Sequence, residues 1–144
     1  MKKFALLALT FSFLFSQAQT YNIVPKPVKL KPQKGIFSLS KNTVLLLSDE
    51  GERNTVDFFN EYLQQFYGLR LKTAKTAKSN YIKIGTKKFI RPGQEGKYEM
   101  QITPASINIS GDTYYGTFYG IQTLIQLLPV TKAPSLAIPA ASIE

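Results

Sequence analysis

The sequence contains 144 residues, 44% of them hydrophobic, carries a formal net charge of +9 and has no cysteine or histidine. This length suits one domain around a single core and is too short for a (β/α)8 barrel, which takes at least about 200 residues. Without Cys and His there can be no disulfide, no Ser-His-Asp or Cys-His nucleophile, and no metal site built on thiolate or imidazole ligands.

The first residues have the pattern of a signal peptide. Lys2 and Lys3 supply positive charge, residues 4–15 form a short apolar stretch, and residues 16–18 form a small-x-small cleavage site. The apolar stretch is shorter than the roughly 20 residues of a membrane-spanning helix. We therefore expect cleavage after Ala18, export to the periplasm or the cell exterior, and a mature chain without a membrane span.

The mature chain remains basic after the loss of Lys2 and Lys3. A basic patch can bind nucleic acid, an anionic glycan or an anionic surface. No helix-turn-helix, zinc-finger or RNA-binding aromatic pattern accompanies these lysines, so we expect a solvated face and no nucleic-acid partner. Seven lysines concentrate the charge in the middle of the chain: Lys72, Lys75, Lys78, Lys83, Lys87, Lys88 and Lys97.

In the first half of the mature chain, residues 21–28 alternate until two prolines, which favours an edge strand or an extended lead-in. Residues 36–39 and 43–47 have the composition of two strands. The acidic segment 48–52 precedes an apolar run of helical period, which predicts a helix with carboxylates at its N-terminus and an end at Gly68.

The second half predicts more strands and a second helix. Residues 69–73 and 81–85 alternate with period two and are expected to be neighbouring strands. Residues 98–103 alternate as well, and a turn at Pro104-Ala105 joins them to residues 106–110 in an antiparallel hairpin.

The second helix is predicted to follow Gly111-Asp112 and to end before Pro129, and residues 136–139 form a possible last strand. This order of elements predicts an α+β fold with two layers: a mainly antiparallel β-sheet and two helices packed on one face.

The acidic residues all have structural explanations. The carboxylates of residues 48–52 complement a helix N-terminus, and Asp57 and Glu61 lie off the apolar stripe of the first helix. The remaining acids are scattered, and the glycines near residues 93–96 match neither phosphate-binding nor dinucleotide-binding spacing. The sequence therefore predicts no catalytic residue, no metal ligand and no cofactor-binding residue.

The aromatic residues of the second helix allow two interpretations. Tyr114, Tyr115, Phe118 and Tyr119 could stack on sugar rings, but aromatic residues at helical spacing more often form a core or a domain contact. Because the apolar residues cover more than one helical face, an isolated domain is expected to expose an apolar patch. These residues are Tyr115, Phe118, Tyr119, Ile121, Leu124, Ile125, Leu127 and Leu128.

Four segments in a fixed order resemble the family 20 glycoside hydrolases, the β-N-acetylhexosaminidases. The helix at residues 116–129 is the most informative of them. The resemblance assigns residues 1–18 to a signal peptide, 19–137 to the non-catalytic N-terminal domain, and 138–144 to the start of a connector to a (β/α)8 barrel expected to be missing from a truncated chain. The four segments are Ile23–Pro27, Tyr81–Gly85, Glu95–Met100 and Gly116–Pro129.

The resemblance implies that the full-length enzyme removes terminal β-linked N-acetylhexosamine with the substrate's acetamido group as nucleophile. In the family, the catalytic Asp-Glu pair, a sugar-binding arginine and the pocket tryptophans all belong to the barrel, so none is placed on this sequence. The chain alone is expected to be inactive. No metal or organic cofactor is implied, and the expected partners are the barrel of the same polypeptide and, through it, N-acetylhexosamine-containing glycans.

Two alternatives stay open at this point. One is a stand-alone periplasmic glycan-binding module that uses Tyr114, Tyr115, Lys87 or Lys88. The other is the leading domain of a different glycosidase, because similar domains precede α-glucuronidase and O-GlcNAcase-type barrels.

Overall fold

The computed structural model describes residues 21–48, 50–88 and 95–144. The predicted signal peptide lies outside the described residues, as do Asp49 and most of the loop before Glu95. The elements in chain order are β1 (Leu30–Ser40), β2 (Val44–Leu47), a 3₁₀ turn (Glu50–Glu52), α1 (Arg53–Tyr67), β3 (Lys72–Thr73), β4 (Tyr81–Thr86), β5 (Tyr98–Ile102), β6 (Ser106–Gly111), α2 (Tyr114–Gln126) and β7 (Ser135–Ile143).

The seven strands form one sheet in the order β1-β7-β5-β6-β4-β2-β3. The α+β prediction is confirmed, and the sheet is mixed: β2 pairs in parallel with β3 and β4, and β4 pairs in parallel with β6. The β1–β7, β5–β6 and β5–β7 pairs are antiparallel. The parallel β2–β3 pair arises because α1 is a crossover between these strands, and a crossover returns the chain in the same direction.

The prediction that residues 69–73 and 81–85 form neighbouring strands is wrong, because β2 lies between them. The first of these segments also forms a shorter strand than predicted. The Asn60 side chain accepts a hydrogen bond from Leu71 N at 2.8 Å and donates one to Leu71 O at 3.1 Å. This amide of α1 occupies the Leu71 backbone groups, so strand pairing begins only at Lys72.

The two faces of the sheet differ in polarity. On β4, Ile82 and Ile84 are fully buried beneath the helices, whereas Lys83 between them is exposed. The hairpin β5–β6 repeats the pattern, with Met100 paired to Ile109 on the helix side and Gln101 paired to Asn108 on the other. One face therefore packs against α1 and α2 and the outer face is polar, which gives the two predicted layers.

Strand β7 is longer than the predicted segment 136–139. Residues 138–143, assigned above to a connector, continue the strand: Ile138 pairs with Phe37, and Ile143 pairs with Met100. The alternation that would reveal this strand is interrupted at Pro139. A register shift in β1 between Pro32 and Ile36 accommodates that proline, which cannot donate a ladder hydrogen bond.

Both helices form where they were predicted, and their N-termini differ in capping. Gly68 ends α1 in a left-handed conformation at φ 67° and donates to Gln64 O, as expected for a C-terminal glycine. Glu52 occupies the N-cap position of α1, but the predicted capping role is wrong because its carboxylate is fully buried beside Thr117. Thr113 caps α2 by accepting a hydrogen bond from Gly116 N at 3.4 Å.

The lead-in before β1 forms no strand over residues 21–28 and bends at Val24 and Pro25. Ile23 is buried, and the Gln126 side chain at the end of α2 accepts a hydrogen bond from Val24 N and donates one to Val24 O.

In the described part of the chain, neither helix has the length and hydropathy of a membrane span.

Two glycines allow α2 to lie directly on the sheet. A Cβ atom on Gly120 would lie 2.4 Å from Ile109 Cγ2 and 3.4 Å from the Tyr98 ring. A Cβ atom on Gly116, one turn earlier, would lie 2.2 Å from the carbonyl oxygen of Lys97. The helix axis is therefore closer to β5 and β6 than any larger residue at these positions would permit.

We predict that Gly120→Ala destabilises the domain. Overpacking a core costs about 1–3 kcal/mol, and alanine recovers roughly 1 kcal/mol through its helix propensity. The free energy of unfolding measured in urea should fall by about 1–2 kcal/mol as the balance of these two effects.

Ile109→Ala supplies the matched control, since it removes the methyl group that the new Cβ would strike. In that background, Gly120→Ala should cost clearly less than in the wild type. Equal costs in both backgrounds would show that close packing on Ile109 is not the reason for glycine at position 120.

Candidate functional site

The solvent-facing sides of the two helices carry a group of aromatic residues, which we call the aromatic helix face. Tyr115 is 66% exposed, Tyr119 49% and Phe66 47%, and the other members are partly buried. Contiguous exposed apolar surface on a small domain commonly marks a contact with another protein surface. The aromatic helix face consists of Phe58, Tyr62, Phe66, Tyr115, Phe118 and Tyr119.

The predicted apolar patch is confirmed for the first half of α2 only. Tyr115 and Tyr119 are exposed, and Phe118 and Ile125 are partly buried. The other members of the predicted set face the sheet or lie near the lead-in, so the patch is narrower than the sequence indicates. These buried residues are Ile121, Leu124, Leu127 and Leu128.

Ring contacts hold the aromatic helix face in place. The centroids of Phe58 and Phe118 lie 5.1 Å apart across the two helices, and those of Phe118 and Tyr119 lie 6.4 Å apart. On α1, Tyr62 and Phe66 have centroids 4.5 Å apart. Tilted rings at such distances attract one another, so the surface is largely formed before any partner arrives.

The two helices carry little charge, and α2 carries none. Every lysine that the structure describes lies outside both helices, and the charged residues of α1 are Arg53, Asp57 and Glu61. The lysines lie on the outer face of the sheet, on its edges and in the connectors. Depletion of charge together with enrichment of aromatic residues is typical of the centre of a protein–protein interface.

The residues proposed for glycan binding are not brought together into one site. Lys87 Nζ forms an ion pair with Glu99 at 2.5 Å, and Glu99 faces the outer side of the sheet, opposite Met100. Tyr114 and Tyr115 begin α2 on the helix side. The ammonium group of Lys87 and the two tyrosine rings therefore lie on different faces of the domain.

Five of the described carboxylates have partners: Glu50, Glu52, Glu99, Asp112 and Glu144. Three form surface ion pairs, and the described residues contain no group of three or more potential metal ligands. Glu61 and Glu95 are exposed, as expected for solvated charges. The ion pairs are Glu50–Arg53, Glu99–Lys87 and Glu144–Lys29.

Glu52 differs from its predicted role as a carboxylate that complements the N-terminus of α1. It is fully buried, and its Oε2 accepts a hydrogen bond from Thr117 Oγ1 at 2.7 Å. The same hydroxyl lies 2.9 Å from Tyr114 O. This contact ties the turn before α1 to the first turn of α2 and so fixes the two halves of the aromatic helix face. No local pattern reveals it, because the partners are far apart in the chain.

Asp112 fixes the other side of the same helix start. Its Oδ1 accepts hydrogen bonds from Gly96 N and Thr113 Oγ1, both at 3.1 Å, and its own N–H donates to Lys97 O. Desolvation raises the pKa of Asp112, but hydrogen bonds from the backbone of Lys97 and Gly96 and from Thr113 outweigh it, so the pKa lies below its ordinary value.

Solved structures share this two-layer fold. One is the GH20 exo β-N-acetylglucosaminidase of Vibrio harveyi, with a TM-score of 0.73 and 20% identity over 84% of this chain and 18% of that one. Another is the Flavobacterium johnsoniae chitobiase, with a TM-score of 0.67 and 22% identity over 85% of this chain and 20% of that one.

Residues 20–144 match the model of glycosyl hydrolase family 20, domain 2. The chain therefore belongs to this family and corresponds to its non-barrel N-terminal domain. A curated relative, the beta-hexosaminidase of Porphyromonas gingivalis, is 28% identical over 110 residues, which cover 75% of this chain and 14% of the relative. The chain thus spans a small fraction of the length of the proteins that it resembles.

We predict that Thr117→Val lowers the free energy of unfolding by about 1–3 kcal/mol, because it leaves the fully buried Glu52 side chain without the Thr117 hydroxyl while side-chain volume hardly changes. Thr123→Val is the matched control. It removes a hydrogen bond between two neutral hydroxyls, Thr123 and Tyr98, which lie 2.6 Å apart, from the same helix. Its cost should be about 0.5–1.5 kcal/mol. Equal losses in urea denaturation would contradict a special role for the Glu52–Thr117 contact.

Asp112→Asn should lower stability at neutral pH and change its pH dependence. A carboxylate with a lowered pKa in the folded state stabilises the fold above the pKa of the unfolded chain, and this contribution is lost as the pH falls through the folded-state pKa. The stability difference between wild type and variant should therefore shrink below about pH 4. Urea denaturation at a series of pH values measures it, and a constant difference down to the lowest pH would contradict the prediction.

Proposed function

We propose that this domain is a non-catalytic structural module of an exported β-N-acetylhexosaminidase, and that the same polypeptide carries the catalytic (β/α)8 barrel. Membership of glycosyl hydrolase family 20, domain 2, supports this proposal. So does the length relation, since the chain covers only 14% of a curated beta-hexosaminidase. The full-length protein would hydrolyse terminal β-linked N-acetylhexosamine residues.

The aromatic helix face is the observation that carries the structural role. It is exposed, aromatic and poor in charge, and its rings are held by the Phe58–Phe118 contact between helices. Packing against a second domain would remove Phe66, Tyr115 and Tyr119 from water. Burial of such side chains contributes about 1.5–3 kcal/mol each before ordering costs. We place the barrel against this face.

The non-catalytic role rests on the chemistry of the described acids. Glycoside hydrolysis needs an acid and a second group that stabilises the developing positive charge. Here Glu50, Glu99 and Glu144 are held in ion pairs, and Glu52 and Asp112 are held by hydrogen bonds that join structural elements. The remaining described acids are exposed or partly exposed on the surface: Asp57, Glu61 and Glu95. The catalytic groups of the full-length enzyme are therefore expected on the barrel.

Two matched assays test this role. A chromogenic β-N-acetylglucosaminide is offered to the present chain and to a polypeptide that carries this domain together with its barrel. Only the longer polypeptide should release the chromophore. Hydrolysis by the present chain would contradict the non-catalytic role, and an inactive longer polypeptide would contradict the assigned reaction.

The interface is tested by charged substitutions in the longer polypeptide. Tyr115→Lys combined with Phe66→Lys should lower the temperature at which activity is lost, because removing buried aromatic anchors costs about 2 kcal/mol or more. Ile36→Lys is the matched control, since Ile36 is 53% exposed on the outer face of the sheet.

In the present chain, all these variants should keep the circular-dichroism spectrum of the wild type, because the replaced side chains face solvent. If Ile36→Lys and the double variant had the same effect on the longer polypeptide, the barrel would not contact the aromatic helix face.

A further inference from the structure

The outer face of the sheet carries an open groove at the end away from β1, which we call the lysine groove. It has a volume of about 480 Å³ and lies between strands β2 and β4 and the connector that follows β3. Natural small-molecule sites span about 300–1,000 Å³, so its size suits one or two sugar residues. It lies on the side of Lys83, opposite the buried Ile82 and Ile84 and hence opposite the helices.

Two ammonium groups from different segments share this groove. Lys75 in the connector and Lys83 on β4 both line it, and both are exposed. Within the described residues neither has a carboxylate partner at ion-pair distance, in contrast to Lys29, which precedes β1, and Lys87, which follows β4. Two like charges without a counter-charge attract an anion, and binding of that anion would relieve their mutual repulsion.

The rest of the lining is mixed in polarity. Leu46 and Ala77 supply apolar surface, Tyr81 is half-buried, and Thr76 offers a hydroxyl. An aromatic residue suits the apolar face of a pyranose ring, while hydroxyls bind its alcohol groups. A simple inorganic anion would use the lysines and leave this apolar and aromatic lining unused.

Hydrogen bonds fix the connector that forms one wall. Ala74 N donates to Leu45 O at 2.9 Å at its start. At its end, Asn80 has a left-handed backbone at φ 55°, donates to Ala105 O and accepts from Val44 N. The Asn80 side chain also accepts a hydrogen bond from Thr43 Oγ1 at 2.8 Å. Because both ends are held, the groove exists before a ligand binds, which lowers the entropic cost of binding.

We propose that the lysine groove binds a negatively charged saccharide, with its anionic group between Lys75 and Lys83 and its ring against Tyr81. This site is separate from the proposed contact with the barrel and from the hydrolytic reaction. It would hold an acidic glycan chain on the face of the domain that the barrel leaves open.

The experiment is an NMR titration of the ¹⁵N-labelled chain with glucuronic acid. The amide signals of residues 75–77 and 81–83 should shift, with a dissociation constant in the millimolar range, because exposed charge contacts are individually weak. Added NaCl should weaken binding by screening. Glucose, which has the ring without the charge, should leave these signals unchanged at the same concentration.

Two double variants of equal charge separate the groove from general basicity. Lys75→Gln combined with Lys83→Gln should weaken glucuronic acid binding by about tenfold or more. Lys72→Gln combined with Lys78→Gln is the control, since these exposed lysines do not line the groove, and it should bind within about twofold of wild type.

Three results would overturn the proposal. Absence of shifts at the groove would show that no saccharide binds there. Equal weakening by both double variants would show that binding follows net charge alone. Inorganic sulfate with the same affinity and the same shifts as glucuronic acid would show a site for simple anions. None of these results concerns hydrolysis by the longer polypeptide, so the proposed function is tested separately by the chromogenic assays.

Discussion

The close seating of α2 on the β5–β6 hairpin is the constraint on which the rest of the structure depends. Gly116 and Gly120 leave no side chain between the helix backbone and the sheet. At this short separation, Thr117 reaches Glu52 and Thr123 reaches Tyr98. The inner side of the first two turns is therefore lined by small residues, Gly116, Thr117 and Gly120. The large aromatic side chains of α2 are left for the outer side, and the aromatic helix face is thus a consequence of how the inner side is packed.

Local patterns predicted the elements whose signals are local. The period of α1, its end at Gly68 and the alternation of the β5–β6 hairpin were all predicted from sequence, because each depends on neighbouring residues. The order of strands depends on pairing between distant segments, and there the prediction that β3 and β4 are neighbours was wrong. The extent of β7 was also missed, since Pro139 interrupts its alternation and is accommodated by a bulge in another strand.

The candidate site was only partly predictable for a related reason. Helical spacing showed that Tyr115, Phe118 and Tyr119 share an apolar stripe, but the same spacing suits a core and an interface. A core stripe and an interface stripe differ in what lies on the inner side of the helix. Here Gly116 and Gly120 pack directly on the sheet, and this contact can be recognised only when the position of Ile109 is known. No pattern in the sequence predicts that Glu52 is buried. An acid before a helix is normally exposed at its N-terminus, whereas Glu52 is buried in a tertiary contact with Thr117, which lies 65 residues away in the chain.

The two faces of this domain have opposite chemistry, and this separation decides what each can bind. The helix layer offers aromatic rings and little charge, so a partner on that side gains most by excluding water. The outer sheet offers lysines, amides and hydroxyls, whose interactions with an anion or a glycan survive in water. Because Lys83 points away from Ile82 and Ile84, a domain packed on the helix layer would not cover the lysine groove. The fold therefore allows this domain to be fixed rigidly on one side while its other side stays open to ligands.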